Sequence, residues 1–216
     1  MITDYTSLQA AAAEWLARDQ DTVLLSRIPT FVQMFEAKAN RQLTVRQMEI
    51  RATAVTDPTS AEPEFIALPL DFQSMRRMRN YSLQGKPTLE FRSTVQMDEY
   101  RTQNADRAGK PLYFSIFGNE IELAPTPSEA FTIEMIYRAN LPPLATNQTN
   151  WLLQLAPDLY LYGALLESAP YIKEDARLQT WAQLASAARD DLNALGQLSG
   201  FNAGPLRVIA SGSNIW

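Results

Sequence analysis

The sequence predicts an α+β protein in which helices from both chain ends form one bundle, an antiparallel β domain is inserted between them, and an extended tail follows. Helical periodicity fills residues 1–46 and returns in 141–199, whereas period-two alternation dominates 47–140. Residues 200–216 contain three Gly and two Ser and show no helical period. We therefore predict a bundle of 1–46 with 141–199, an insertion at 47–140 and a tail at 200–216.

Two helices are predicted before the insertion. Thr6 followed by Gln9 has the spacing of a capping box, and the apolar stripe that follows predicts a helix to about Arg18. Pro29 suits the first turn of a second helix because that turn leaves an N–H unpaired in any case. This second helix should end near Arg41, where a cation favours the helix dipole.

The first part of the insertion gives a mixed signal. Alternation from Met48 to Ala54 predicts a strand. The segment LDFQSMRRMRNY fits a strand or a helix, and periodicity alone does not separate the two. The turn signal LQGKP, at 83–87, predicts that TLEFR returns as a strand. Ser93 can cap a short helix from Thr94 to about Tyr100.

The second part of the insertion carries the clearest β signal. In PLYFSIFGNEIELAP, Gly118 and Asn119 form a two-residue connection between alternating segments, which predicts a hairpin. Alternate apolar residues from Phe131 to Tyr137 predict a third strand with one apolar face. We expect these strands to form an antiparallel meander.

The chain from Asn150 to Pro170, NWLLQLAPDLYLYGALLESAP, predicts helices with almost no polar side. Pro157 should begin a second helix after a short first one. A helix that is apolar all round must be buried by its own chain or by a neighbour. A last helix is predicted from Lys173 to Leu195, with Gly196 as its stop signal.

Composition excludes several classes of protein. The chain has no Cys and no His, which removes disulfides, thiolate metal sites and the usual general base. Its net charge of -5 argues against a dedicated binder of the phosphate backbone. The N-terminus lacks the basic start of a secretory signal, and charged residues interrupt the apolar segments, so we expect no membrane span.

Few residues in the sequence are candidates for catalysis or ligand binding. The chain contains none of the common phosphate-binding, nucleophile-elbow or calcium-loop patterns, and we expect no cofactor. Glu120 and Glu122 imitate a glycosidase pair, but residues two apart on a strand share a face and more simply form a solvated edge. Arg76, Arg77 and Arg79 form a basic cluster that could touch nucleic acid, although pairing with carboxylates is favoured.

Long segments of the chain resemble the head-to-tail adaptor (connector) proteins of tailed bacteriophages. The C-terminal segment NWLLQLAPDLYLYGALLESAPYIKEDARLQTW carries this resemblance most strongly. Three further segments match in the same order: FVQMFEAKANRQLTVRQMEIRAT, ALPLDFQSMRRM and YFSIFGNEIELAPTP. The resemblance extends from about Thr6 to Trp181 and is weakest after Gly200.

The resemblance implies a structural virion protein with no catalytic residues. In that family twelve copies form a ring beneath the portal, offer a platform for the tail nozzle or tail fibres, and surround a channel for DNA. It also implies a protein of the phage neck that is assembled in the host cytoplasm. A carboxylate-dependent, tail-associated hydrolase is the alternative function.

A ring would account for the apolar helix, which could pack on its own bundle on one side and on the next subunit on the other. We predict Tyr160, Leu161 and Leu165 on the inter-subunit side; a central place within one bundle is the equal alternative. The tail is too apolar for an ordinary disordered end, and we predict that it docks on the portal. Its candidate portal-binding residues are Phe201, Leu206, Val208, Ile209, Ile215 and Trp216.

Overall fold

The computed structural model describes residues 1–105, 107–172 and 177–200 and confirms the α+β class. The helices in chain order are α1 (Tyr5–Trp15), α2 (Thr22–Leu25), α3 (Ile28–Gln42), α4 (Thr94–Gln103), α5 (Trp151–Leu155), α6 (Pro157–Ile172) and α7 (Leu178–Gly200). A short 3-10 turn spans Arg46–Met48. The strands are β1 (Glu49–Val55), β2 (Phe65–Ala67), β3 (Phe72–Asn80), β4 (Glu90–Phe91), β5 (Tyr113–Phe117), β6 (Glu120–Ala124) and β7 (Thr132–Ala139).

The chain divides into two compact units. The first, the helical unit, comprises Met1–Arg46 and the chain from Pro143 onward, with every described helix except α4. The second, the sheet unit, comprises Gln47–Pro142 and holds all the described strands together with α4.

The start of α1 differs from the prediction. The capping box is formed by Asp4 and Ser7, not by Thr6 and Gln9: the Ser7 N–H donates to Asp4 Oδ1 at 2.8 Å, and Ser7 Oγ accepts from the Asp4 N–H at 3.0 Å. Thr6 already lies inside the helix, where its hydroxyl cannot cap the first turn. The carboxylate of Asp4 is also the better acceptor for the free N–H groups at a helix start.

The second predicted helix is confirmed as α3, with Pro29 in its first turn and Arg41 in its last. The short helix α2 was not predicted. It begins where Asp21 accepts hydrogen bonds from the N–H groups of Val23 and Leu24. Four residues are too few to show a helical period, so only the capping residue marks α2 in the sequence.

Helix α6 is apolar on most sides because its own unit covers it from several directions. It packs against α1, α3, α5 and α7, and its seven buried residues do not fall on a single stripe. Gly163 brings the α6 backbone against the ring of Phe35: a Cβ atom built here would lie 2.1 Å from Phe35 Cδ2. Much of the apolar surface of α6 is therefore buried by the helical unit of the same copy.

The predicted stop at Gly196 is wrong, since α7 continues to Gly200. Gly196 has a different reason to be small. A Cβ atom at this position would lie 3.2 Å from Val45 Cα, so the absence of a side chain permits close packing of the helix on the chain that follows α3.

The sheet unit contains two sheets, and the predicted meander is wrong. Sheet A has the order β1-β7-β3 and sheet B the order β2-β6-β5-β4. The predicted hairpin around Gly118 is confirmed as β5 and β6, but β7 leaves it and pairs antiparallel with β1 and β3 in the other sheet. The turn at 83–87 does return the chain antiparallel to the end of β3, where Arg79 and Thr88 form a bridge, but the strand that follows, β4, runs parallel to β5 in sheet B.

One hydrophobic core joins the two sheets. Ile133, Met135 and Tyr137 project into it from sheet A, and Ile121 and Leu123 project into it from sheet B. Because side chains alternate along a strand, the even-numbered residues of β7 lie on the opposite, outer side of sheet A. That outer side is where the charged residues of the sheet collect.

Helix α4 covers the outer side of sheet B and forms a third layer. Ser93 caps it as predicted and makes a capping box with Gln96. The ring of Tyr100 meets the ring of Tyr113 at 5.0 Å between centroids, and Arg101 Nη2 lies 3.0 Å from Glu122 Oε1. The layers of this unit are therefore sheet A, sheet B and α4.

Gly163→Ala tests the close packing of α6. At an exposed helical position this change stabilises a helix by up to about 1 kcal/mol. Here we expect the opposite sign, a loss of about 1–3 kcal/mol in the free energy of unfolding, because the new methyl group overlaps the Phe35 ring. Chemical denaturation measures the loss, which should shrink in a Phe35→Leu background. A stabilised Gly163→Ala protein would contradict this packing.

Candidate interaction surfaces

The outer side of sheet A holds a buried carboxylate under three arginines. Glu134 lies on the central strand β7, with Arg79 directly opposite on β3 and with Arg51 and Arg77 at diagonal positions on β1 and β3. Glu134 Oε1 accepts a hydrogen bond from Arg79 Nε, and Oε2 accepts one from Arg51 Nε. Arg77 Nη2 is 3.8 Å from Oε1. The arginines cover Glu134 so well that its side chain is 1% exposed.

The hydrogen bond from Arg79 does most to lower the pKa of Glu134, and the bond from Arg51 and the charges of both arginines add to it. Together they outweigh the desolvation of the carboxyl group and bring its pKa from 4.5 to about 2. The same bond raises the pKa of Arg79. Glu134 therefore stays ionised at every pH at which the protein is expected to work.

A bulge in β3 brings two consecutive arginines to this side. Met75 and Met78 both face the core although they are three residues apart, which strict alternation forbids. The register between β3 and β7 shifts between Met75 and Arg77, and this one-residue bulge lets both methionines face the core. Arg76 and Arg77 are then both exposed. This conflict is also why periodicity alone did not separate a strand from a helix in this segment.

The basic cluster predicted from the sequence pairs with carboxylates of its own chain. Arg77 and Arg79 contact Glu134, and Arg76 Nε lies 3.2 Å from Glu49 Oε1 at the surface. Arg51 belongs to the same group of residues, although nothing near it in the sequence indicates this.

Aromatic stacking extends the charged surface beyond the strands. Lys86 Nζ lies 3.7 Å from the centroid of the Tyr81 ring, and Arg51 Cζ lies 5.5 Å from the same centroid. Both cations are attracted by the ring quadrupole. Lys86, in the turn after β3, is in this way held beside the arginines.

The three residues predicted on the inter-subunit side lie inside the helical unit. Tyr160 and Leu165 are 0% exposed and Leu161 is 6% exposed, so they offer a neighbouring copy almost no surface. The Tyr160 hydroxyl donates to Glu36 Oε1 at 3.1 Å and accepts from Asn150 Nδ2 at 2.6 Å. A buried polar network thus fixes Tyr160 in the interior.

Glu36 is the charged member of this network. Burial raises the pKa of its carboxyl group, while hydrogen bonds from the Leu144 N–H and the Tyr160 hydroxyl act in the opposite direction. Burial, together with the charge of Glu36, also raises the pKa of Tyr160. Glu36, Leu144, Asn150 and Tyr160 are thus hydrogen-bonded to one another within a single copy.

The carboxylate pair considered for hydrolysis has a structural role at one of its members. Glu122 Oε1 accepts a hydrogen bond from Arg101 Nε at 3.0 Å, whereas Glu120 is exposed at the start of β6. Among the residues that the structure describes, no group of three or more carboxylates is placed to hold a metal ion.

Comparison with known families shows which family the chain belongs to. A family model described as SU10 adaptor protein matches residues 3–208, which is nearly all of the 216 residues. The chain belongs to the SU10 adaptor family. A search of curated proteins finds no match. The resemblance to phage head-to-tail adaptors seen in the sequence is confirmed.

Membership gives this adaptor a structural role in a phage and makes it a component of the virion. The family is structural, which implies a protein without enzymatic activity. In the described parts of the chain, no helix combines the length and the apolar character that crossing a bilayer requires.

Large apolar side chains remain exposed on both units of the adaptor. On α7, Trp181 and Leu192 are buried, but Leu184 is 38% exposed and Leu195 is 61% exposed. The most exposed large apolar residues of the sheet unit are Val55, Leu70, Phe91, Val95 and Phe117. These side chains are available for contact with other proteins.

The candidate portal-binding residues lie outside the described part of the adaptor. All six belong to 201–216, and the assignment of Phe201, Leu206, Val208, Ile209, Ile215 and Trp216 to the portal stays a prediction.

Glu134→Gln tests the carboxylate beneath the arginines. At neutral pH we expect the variant to have a lower free energy of unfolding than the wild type, because three guanidinium groups then converge without a negative charge between them. Glu49→Gln is the matched control: it removes only a surface ion pair, which should cost at most about 1 kcal/mol.

The pH dependence of the Glu134→Gln effect follows from the lowered pKa. The stability that Glu134 contributes is complete above pH 4.5 and is lost as the pH falls through about 2. Denaturant titrations between pH 7 and pH 2 should therefore show the gap between wild type and variant narrowing at the acid end. A gap that stays constant would contradict the assigned hydrogen bonds.

Proposed function

We propose that copies of this adaptor form a dodecameric ring beneath the portal of a phage head. The ring joins the portal to the tail nozzle or tail fibres and surrounds the channel through which DNA passes. It is assembled in the host cytoplasm and becomes part of the neck of the virion. The observation that carries this proposal is the family match over residues 3–208.

The exposed apolar side chains support assembly. A closed ring uses heterologous interfaces, in which two different patches of each copy meet. Tyr160, Leu161 and Leu165 of α6 add little to either patch, since they are covered within one copy. We place the contacts between helical units instead at exposed residues such as Leu184 and Leu195 of α7. Burial of such side chains would favour the ring by roughly 25 cal/mol per Å² of apolar surface.

The net charge fits a channel that DNA crosses without being held. The chain carries a net charge of -5, and a ring multiplies this charge by its number of copies. Such a ring does not favour the phosphate backbone overall, and contacts with DNA would be weak and independent of sequence. The alternative of a hydrolase has less support, because Glu122 is bound by Arg101 and Glu120 is left without a partner acid.

We further propose that the segment 201–216 docks on the portal. It is rich in Gly and Ser yet contains six large apolar residues, a composition that suits a segment that becomes ordered on a partner.

Native mass spectrometry and electron microscopy test the ring, with the adaptor examined alone and after mixing with its portal protein. We expect a closed ring of adaptor copies bound coaxially to the portal, formed either before mixing or only with the portal present. A single copy bound to each portal ring, or no binding at all, would exclude the proposal.

Deletion of residues 201–216 tests the role of the tail. We expect the shortened adaptor to keep the unfolding transition of the full chain and to lose portal binding in a pull-down with immobilised portal. Normal binding by the shortened adaptor would show that the portal contacts lie elsewhere.

A further inference from the structure

The sheet unit separates its charges into two groups. The outer side of sheet A and the adjacent turn form the basic face, which we define as Arg51, Arg76, Arg77, Arg79, Arg138 and Lys86. Among the described residues, the carboxylates that form ion pairs with these six cations are Glu49 and Glu134. Four positive charges on this face are therefore uncompensated, in a chain whose net charge is -5.

The binding geometry leaves the basic face able to bind further anions. Arg51 and Arg79 each hold Glu134 through Nε, so their terminal nitrogens are not used on this carboxylate. Arg51, Arg76 and Arg77 are 56%, 56% and 44% exposed. A guanidinium fixed at Nε is already oriented, and it loses less side-chain entropy when its outer edge binds a second carboxylate.

The opposite side of the same unit carries three exposed carboxylates. Asp98 and Glu99 project from α4 into solvent, and Glu90 lines a cleft together with Glu99. We call these three residues the acidic face. No ion pair joins them to a cation among the described residues of the unit, and the one cation in the cleft, Arg92, has its guanidinium stacked 3.5 Å from the centroid of the Tyr113 ring.

The layer order places the two faces back to back. The basic face is the outer side of sheet A, and α4 covers the outer side of sheet B, with the shared core between the sheets. A head-to-tail contact between identical copies is favoured when opposite charges lie on opposite sides of one unit. The same arrangement disfavours face-to-face pairing of two copies, because like charges would then meet.

We propose that the basic face of one copy docks on the acidic face of the next copy around the ring. This inference rests on the proposed ring and specifies which surfaces of the sheet unit close it. A second copy suits the basic face better than DNA does, because a matching set of unpaired carboxylates exists in the chain itself, whereas the net negative charge opposes phosphate.

A charge-swap experiment tests the proposal. Variant one carries Arg76→Glu and Lys86→Glu, which spares the three arginines on Glu134. Variant two carries Asp98→Lys and Glu99→Lys on the exposed side of α4. We expect each variant alone to form rings at least about tenfold less than the wild type at equal concentration, by native mass spectrometry and analytical ultracentrifugation, with portal added if the wild type requires it.

The equimolar mixture of the two variants is the decisive sample. The reversed basic face of variant one fits the reversed acidic face of variant two, and their unaltered faces fit each other. Rings should return and contain both variants in equal numbers. A control with Asp57→Lys and Glu62→Lys, in the exposed loop of the same unit, should assemble like the wild type.

Each remaining outcome overturns the proposal in a distinguishable way. If the wild type forms rings and both variants do so equally well, the charged faces do not close the ring, although the ring itself stands. If the mixture fails to recover rings while both variants keep the wild-type unfolding transition, the two faces do not meet. If variant one forms normal rings but loses retention of a duplex DNA fragment, the basic face serves nucleic acid. If the wild type forms no ring with portal, the proposed function falls as well.

Discussion

Strand β7 pairs with another strand at each edge, packs on the core with one side and holds an ion-pair cluster on the other. These contacts determine much of the structure of the sheet unit. It is the strand through which β1 and β3 are joined in sheet A, since both pair with it. Ile133, Met135 and Tyr137 fill the core on one side. On the other side Glu134 gathers arginines from both neighbouring strands. One strand of eight residues thus links the apolar interior to the charged exterior.

Most signals that act over a few residues were predicted correctly, although the capping box of α1 lies at Asp4 and Ser7 and not at Thr6 and Gln9. Ser93 caps α4, Pro29 lies in the first turn of α3, and Gly118 forms the hairpin, because each effect depends on neighbouring backbone groups. The predicted meander failed because the partners of β7 are fixed by distant pairing, which alternation along one strand does not specify. Gly196 was misjudged for a similar reason, since its close neighbour, Val45, is remote in the sequence.

The interaction surfaces were predictable only in part. Arg76, Arg77 and Arg79 stand out because they are close together in the sequence, but Glu134 and Arg51 are 83 residues apart and carry no shared signal. The sequence pattern showed that α6 must be buried on many sides, but it does not show whether its own chain or another chain buries it. The structure shows that the helical unit itself buries much of α6.

The way Arg51 and Arg79 hold Glu134 limits how this region can vary among related phages. A guanidinium has nitrogens on two sides and can bind one anion with Nε while its outer edge stays available. A lysine carries its three donors on one nitrogen at the end of a flexible chain and lacks this planar, two-sided geometry. An exchange of either arginine for lysine would preserve the charge but lose the geometry that binds Glu134 through Nε, so related sequences that keep Glu134 should retain arginine at both positions.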